Sequence, residues 1–357
     1  MRGSIGGSVG VAALLVVVMG CGAQLKSPKA EEGAIAAERE RQREFAVTEW
    51  MRRQARVEGV AARIRVAGAE LCGDDVGPYL GMSIGSAADF DEELRPVAMR
   101  VLGADAKPRI LRISPGQPAE QVGLQLREAI VSVDGARVES TREVLARVAA
   151  HREGAIRLGI ERDGREEFVI VTPLAACNYG VVAVADDDVN AFADGESIGI
   201  NTGMIRFAEN DDELALVIGH EFAHNALGHR ARNTTNSVLG AVLGGILDVG
   251  VAVVGVNTGG AFSKAGAGLM AGAFSKDFEG EADYLGLYLA ARAGYDVGVA
   301  PDFWRRMGIE HPASVESKYL SMHPSTPERA LSLEQVVAEI RAKREAGEPL
   351  EPTRDAR

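Results

Sequence analysis

The chain has 357 residues, and its excess of Asp and Glu over Lys and Arg gives a net charge of −12 at pH 7. An acidic chain without a basic face cannot neutralise phosphates, so the charge balance excludes nucleic acid as a partner. The length is sufficient for two domains.

The amino terminus indicates export. Arg2 precedes an apolar run from Val11 to Met19, and Val18-Met19-Gly20-Cys21 resembles a bacterial lipoprotein cleavage site. The run is shorter than the ~20 residues that a bilayer span requires. We expect residues 1–20 to be a signal peptide, Cys21 to be lipidated and residues 21–33 to form a tether. An uncleaved anchor, the alternative, would also place the bulk of the chain outside the cytoplasm.

Residues 34–74 hold charges of both signs around apolar side chains such as Phe45, Val47 and Trp50. This pattern predicts surface helices that pack on the body of a larger domain.

Residues 75–173 read as a β-rich domain. The pattern predicts strands at Ile110–Ile113 and Ile130–Val133, a turn at Asp134-Gly135, a helix near Thr141–Ala149 and a hairpin that turns at Asp163-Gly164. This order resembles a PDZ domain of the type found in bacterial proteases.

The PDZ resemblance implies a carboxylate-binding loop, which would hold a peptide C terminus while the peptide adds a strand to the sheet edge. The matching residues are Tyr79, Leu80, Gly81 and Met82. Arg127-Glu128 stands where the family usually has Gly-Asp, which puts that turn in doubt. A β-rich insert without peptide-binding ability is the alternative.

A buried helix is predicted from Asn210, which resembles a capping box with Glu213, to the stop at Gly228. His220 and His224 lie one turn apart on one face of it, so both imidazoles can reach one metal ion while Glu221 projects toward a water molecule. Two hydrogen-bonded core histidines are the alternative, but burying them beside a carboxylate without a metal ion is costly. The spacing predicts a zinc site.

A second helix, from Ser275 to Gly294, offers the third zinc ligand. Glu279 and Asp283 share one face, so Glu279 can bind the metal while Asp283 accepts the free ring N–H of a ligand histidine. Glu281 points nearly the opposite way and would lack such a partner. His229 is one residue out of register for a third histidine ligand, and we expect it to be a surface loop residue.

Residues 237–276 are apolar and rich in glycine. We expect a buried or lid-like helical hairpin over the cleft. A bilayer span would be marginal, because Asp248 would be costly in mid-bilayer. A shallow membrane contact is the alternative to the hairpin.

These motifs resemble the zinc peptidase family of the CAAX prenyl endopeptidases, HtpX and periplasmic BepA-like proteases. The resemblance implies that the substrate lies as an added strand along Asn190, Ala191, Phe192 and Ala193. It also implies that His323 approaches the zinc, either steadying the oxyanion or filling the open position in a resting form, and that Arg329 braces the site. The alternative for residues 322–329 is a polar loop that caps a helix near Thr326.

The expected fold is α+β. A mainly helical zincin core of the gluzincin type, with a small β-hairpin and edge strand, would carry an inserted PDZ-like domain. Its parts would be the N-terminal peptidase helices in 34–74, the PDZ-like domain in 75–173, the catalytic domain in 174–345 and a polar tail in 346–357.

The expected function is that of a zinc endopeptidase with one Zn²⁺ per chain and Glu221 as general base. Its expected partners are misfolded or misassembled envelope proteins and protein C termini. Through its lipid, the chain is expected to be anchored to the outer membrane of the bacterial cell envelope, with its domains in the periplasm. The alternative is an envelope chaperone or scaffold with a closed zinc site, which acts through its PDZ-like domain.

Cys72 and Cys177 are the two cysteines left once Cys21 carries lipid. They flank the PDZ-like insert, whose ends should lie close together, and an oxidising compartment favours their pairing. We expect a disulfide; two buried free thiols are the alternative.

Overall fold

The computed structural model describes residues 29–90, 92–162, 164–229, 276–310, 323 and 326–353. The expected signal peptide and lipidated Cys21, and almost the whole expected lid at 237–276, lie outside these residues. The chain divides into a short unit that ends at Glu40 and a large unit from Arg41 onward. Within the described part of the chain, no helix is both long enough and apolar enough to cross a membrane.

The fold begins with one long helix, α1 (Glu32–Ala67), where the sequence predicted several helices. It has no proline, and its single interior glycine does not interrupt it. Its second half is buried in the main core through Trp50, Val57, Val60 and Ile64. Arg56 on the same helix donates hydrogen bonds to Asp211 and to two backbone carbonyls of the peptidase half.

The β-rich part is a sheet with strand order β2-β3-β4-β6-β7, in which neighbours are antiparallel. Apolar side chains of the sheet pack against helix α4 to form a separate core. The α+β fold class with a PDZ-like domain is confirmed. The elements are β1 (Val76–Tyr79), β2 (Met82–Gly85), α2 (Arg95–Leu102), β3 (Arg109–Ile113), α3 (Pro118–Gln121), β4 (Ala129–Val133), β5 (Ala136–Arg137), α4 (Thr141–Ala150), β6 (Ile156–Arg162) and β7 (Arg165–Val171).

Arg127 adopts the left-handed backbone conformation that favours glycine, with φ of 71°. This explains why a Gly-Asp pair is usual at this turn. The strain, of about 1–2 kcal/mol, is offset by local hydrogen bonds: the Arg127 amide donates to Ile110 and its guanidinium donates to Val101. The turn therefore forms despite the departure from the family pattern.

A neck joins the PDZ-like part to the rest of the chain. Strand β1 pairs antiparallel with β8 (Leu174–Cys177), so the two ends of the insert lie side by side. The structure contains the Cys72–Cys177 disulfide at the base of this pair, with the two Cα atoms 5.7 Å apart.

Helix α1 also fixes the PDZ-like part against the core. Val47 and Met51 of α1 pack on α2, while Ala62 packs on Tyr79 in the neck. The carboxylate of Glu58 lies 3.6 Å from Arg65 and 3.8 Å from Arg112 of strand β3, with all three side chains largely buried.

The second half of the chain forms the peptidase-like core. A three-stranded sheet has the order β10-β11-β9, with β10 antiparallel and β9 parallel to β11. Residues up to Thr353 of the polar tail return to the body, where Thr353 donates to Glu339. The elements are β9 (Gly180–Val184), β10 (Ala191–Ala193), β11 (Ser197–Asn201), α5 (Thr202–Phe207), α6 (Asp211–Ala226), α7 (Lys276–Arg292), α8 (Ala300–Glu310) and α9 (Pro327–Ala346).

We expect that replacing both Cys72 and Cys177 with Ala will lower the free energy of unfolding by about 2–5 kcal/mol. The lower end is favoured, because β1–β8 pairing already closes much of the 105-residue loop. Urea denaturation of the two proteins measures the difference. Peptide mapping without reduction checks the bond itself, and recovery of both cysteines as alkylated thiols would contradict it.

Candidate metal centre

Helix α6 carries the first three residues of the site. The Asn210 side chain accepts a hydrogen bond from the Glu213 amide and begins the helix, and Gly228, with φ of 62°, ends it. The helix is buried almost all round, and His220, Glu221 and His224 are each at most 2% exposed. Three polar side chains on so buried a helix must find partners inside the protein.

Helix α7 crosses α6 at two glycines. A Cβ atom on Gly219 would lie 2.6 Å from the carbonyl oxygen of Gly286, and one on Gly286 would lie 2.8 Å from the amide nitrogen of His220. The two backbones therefore touch where any larger residue would separate them. This contact brings Glu279 and Asp283 of α7 to the face of α6 that carries the histidines.

Four side chains meet at this crossing: His220, His224, Glu279 and His323 each place one potential ligand atom within 4.8 Å of the others. The Nε2 atoms of His220 and His224 are 3.0 Å apart, and they lie 3.5 and 3.4 Å from the carboxylate of Glu279. Nδ1 of His323 is 3.0 Å from each Glu279 oxygen. Two imidazoles and a carboxylate, with a third imidazole, form a donor set that suits Zn²⁺.

Asp283 stands behind His220. Its Oδ1 atom is 2.9 Å from Nδ1 of His220, which leaves Nε2 of that ring directed to the ligand group. Arg329, which is also buried, donates two hydrogen bonds to Asp283, at 2.6 and 2.7 Å, and stacks 3.9 Å from the ring of Trp304. The guanidinium thus fixes the carboxylate that orients His220.

The two histidines differ in proton affinity. Burial lowers the pKa of His220, but the carboxylates of Asp283 and Glu279 facing the ring outweigh burial and raise that pKa to about 9. Burial lowers the pKa of His224 to about 3, with Glu279 opposing the shift. Because a metal ligand must be a neutral imidazole, metal binding here would release the proton of His220.

Two observations fit a divalent cation. Oε2 of Glu221 is buried and has no hydrogen-bond partner among the described residues, as expected for a carboxylate that faces a water molecule. With His220 neutral, as a metal ligand must be, the described buried groups of this centre carry unbalanced charge: three carboxylates, Glu221, Glu279 and Asp283, face one guanidinium, Arg329. The remaining two negative charges equal the charge that Zn²⁺ would bring.

Residues 166–337 match peptidase family M48, and residues 109–162 match the PDZ domain. The chain contains an M48 peptidase domain. The PDZ match leaves out strands β1 and β2 and the loop between them.

Curated relatives of the M48 domain come from mitochondria and bacteria. The chain is 36% identical over 163 residues to the mitochondrial metalloendopeptidase OMA1 of Arabidopsis thaliana, covering 45% of this chain and 32% of the relative. It is 30% identical over 157 residues to a putative beta-barrel assembly-enhancing protease of Vibrio cholerae serotype O1 (strain ATCC 39315 / El Tor Inaba N16961), covering 41% and 32%. The chain thus spans about a third of the length of either relative.

A similar solved structure is the HtrA3 PDZ domain bound to a phage-derived ligand. It is 16% identical, with a TM-score of 0.22, and the match covers 28% of this chain and 88% of that domain.

The structure corrects two expectations about the M48 domain. His229 is fully buried, not a surface loop residue, and its Nδ1 atom is 3.0 Å from Nδ1 of His224. Glu281 does have a partner, because its Oε2 atom is 2.9 Å from Nε2 of His229. Both predictions were wrong because the tight turn at Gly228 places the His229 ring inside the protein beside His224, where it also meets Glu281.

The edge strand of the M48 domain is held against the catalytic helix by Asn225, which the sequence analysis missed. Its amide oxygen accepts from the Gly195 amide at 2.8 Å and its amide nitrogen donates to the Ser197 carbonyl at 3.2 Å. Asn225 follows His224 directly, so the hairpin of β10 and β11 is fixed to the helix that carries the two histidines. A further polar residue on a largely apolar helix, next to the His-Glu-x-x-His motif, was the available signal.

The expected carboxylate loop connects β1 to β2. The carbonyls of Leu80 and Gly81 accept hydrogen bonds from Ala119 and Ser114, and Gly81 has φ of +76°, so the loop is a tight, fixed turn. Tyr79 is buried in the neck, and Met82 begins β2, which has a described neighbour on one side.

We expect Gly286→Ala to destabilise the protein by about 1–3 kcal/mol, because its Cβ would push against the backbone of α6. Gly280→Ala is the matched control: it lies on the same helix, and no atom of the described residues lies within 4 Å of its Cβ position. That control should gain about 0.5–1 kcal/mol from better helix propensity. Chemical denaturation compares the two variants, and equal effects would exclude a tight helix crossing.

Proposed function

We propose that the chain is a zinc endopeptidase of the bacterial cell envelope that cleaves misfolded or misassembled envelope proteins. The convergence of His220, His224 and Glu279 beside the buried Glu221 carries this proposal. Zn²⁺ bound by these three ligands would supply a Lewis acid to the scissile carbonyl and to the attacking water.

Glu221 is the proposed general base. Burial raises the pKa of its carboxyl, which makes it a better proton acceptor than an exposed glutamate. Its Oε2 atom, without a described hydrogen-bond partner, would take the proton of the attacking water and pass it to the leaving amine. Being directed at water, Glu221 would not serve as a ligand.

His323 supports two roles at this centre. Its Nε2 atom lies 3.5 Å from Oε1 of Glu221, and from there it could donate a hydrogen bond to the oxyanion. Its Nδ1 atom lies among the ligand atoms, 3.2 Å from Nε2 of His220. The second contact favours a resting form in which His323 fills the open position.

Strand β10 is the proposed substrate site, and its register identifies the groups involved. The Asp194 amide donates to Ser197 and the Asn201 amide donates to Asn190, so Asn190 and Phe192 direct their backbone groups toward β11. The backbone groups of Ala191 and Ala193 therefore face the outer edge. A substrate in extended conformation would pair with these two alanines.

The choice of substrate class follows from two features. A strand-pairing edge selects exposed backbone and not a particular sequence, and the PDZ-like domain offers a turn suited to a peptide C terminus. Some relatives are named beta-barrel assembly-enhancing proteases, which supports a substrate in the cell envelope. Arg2, the apolar run and Cys21 support a lipid anchor there.

The alternative is an envelope chaperone or scaffold with a closed zinc site. The position of His323 among the ligand atoms is the observation that favours it. Cleavage of casein by the wild-type protein, compared with cleavage by the Glu221 variant, separates the two functions.

We expect Glu221→Gln to retain one zinc ion per chain and to lose cleavage of casein by about 10²–10⁴-fold, because the base is not a ligand. Glu279→Ala should lose most of the metal as well as the activity. Metal analysis and casein cleavage are measured on both, with the exposed Glu345→Gln as control. Wild-type protein that binds zinc and cleaves no unfolded protein would favour the scaffold.

We expect the native protein to incorporate labelled palmitate and to fractionate with membranes, and Cys21→Ser to do neither. Cys21→Ser should keep the casein cleavage of the wild type, since the M48 domain does not depend on the anchor. Freely soluble, unlabelled native protein would exclude lipidation.

A further inference from the structure

His229 and Glu281 form a pair that extends the metal centre toward the surface. The His229 ring is fully buried and stacks on Phe278, with ring centroids 4.5 Å apart and planes 9° apart. One ring nitrogen is 3.0 Å from Nδ1 of His224, and the other is 2.9 Å from Oε2 of Glu281. The Glu281 side chain is 51% exposed.

The direction of the hydrogen bonds follows from His224. Its Nε2 atom faces His220 and Glu279, so a metal ion would take the lone pair of Nε2 and leave the proton on Nδ1. The His224 Nδ1–H group then donates to Nδ1 of His229. His229 must carry its own proton on Nε2, which donates to the Glu281 carboxylate. Each ring therefore has one tautomer that satisfies both of its contacts.

We propose that His229 and Glu281 are positioning residues for metal binding: together they fix the tautomer and ring orientation of His224. The proposal rests on the metal centre proposed above. It assigns to His224 the support that Asp283, held by Arg329, gives to His220. His224 receives this support through an imidazole, since the ring of His229 lies between His224 and the carboxylate of Glu281.

The exposure of Glu281 makes the pair testable without disturbing the fold. Asp283 is 6% exposed and ion-paired, so its removal would take two short hydrogen bonds from the buried Arg329 guanidinium. Glu281 is half exposed, so its removal breaks no fully buried ion pair among the described residues. A change in metal affinity in Glu281→Ala would therefore report on the orientation of His224 and not on unfolding.

We expect Glu281→Ala to weaken zinc binding about tenfold, and His229→Ala about 10–100-fold, as removal of groups that orient ligands does. His229→Asn should recover part of the loss, because its amide oxygen can still accept from His224. Asp277→Ala is the matched control: it removes an exposed acidic residue from the first turn of the same helix. Competition with a chromogenic chelator measures zinc affinity, and the visible spectrum of the cobalt-substituted proteins reports ligand geometry.

The outcomes are distinct. Zinc affinity and cobalt spectra that are equal in wild type, Glu281→Ala and His229→Asn would overturn the pairing, while the metal centre would stand. Wild-type protein that binds no zinc would instead reject the metal centre itself. If His229→Ala does not fold, as circular dichroism would show, Glu281→Ala and His229→Asn still decide the question.

Discussion

The site depends on the contact between the backbones of α6 and α7 at Gly219 and Gly286. Side chains normally hold helix axes 8–10 Å apart, and here a single added methyl group on either glycine would overlap the other helix. Gly219 immediately precedes His220, so the closest approach falls where the proposed metal ligands begin. Without this approach, the carboxylates of α7 could not reach the imidazoles of α6.

Bringing the two helices together buries charge, and that charge explains the rest of the centre. Glu279 and Asp283 remain ionised because cationic and hydrogen-bonding partners face them: burial raises their pKa values, and Arg329 and the histidines more than reverse the effect. The cationic groups near Glu221 do not outweigh the effect of burial, so the pKa of its carboxyl stays raised. A spread of proton affinities among adjacent carboxyls is what a centre needs if one group is to be a ligand and another a base.

The PDZ-like part is fixed relative to this centre by shared elements. Helix α1 contributes to the peptidase core through Trp50 and Ile64 and to the contact with α2 through Val47. The neck strands and the Cys72–Cys177 disulfide close the base of the insert. A peptide held at the Leu80-Gly81 turn would therefore be held in a fixed position relative to the proposed metal centre. The composition of the sequence between the two parts does not predict this.

The sequence by itself determined the elements whose signals are local. The spacing of His220, Glu221 and His224, the cap at Asn210 and the stop at Gly228 indicate the catalytic helix, because capping and helical periodicity involve neighbours within a few residues. The i, i+4 relation of Glu279 and Asp283 placed them on one face, which the structure turns toward α6. The order of strands and turns in 110–164 identified the PDZ-like part in the same way.

Only the tertiary structure decided which groups meet across long separations. His229 looked like a loop residue because it lies beyond the helix end, yet the turn at Gly228 buries it against His224. Glu281 points away from the face that carries Glu279 and Asp283, and helical periodicity alone could not show that His229 approaches it from another part of the chain. Asn225 bonds to a hairpin 28–30 residues earlier in the chain. Such contacts follow from how helices and strands pack, and the residues flanking each partner do not reveal which group it will meet.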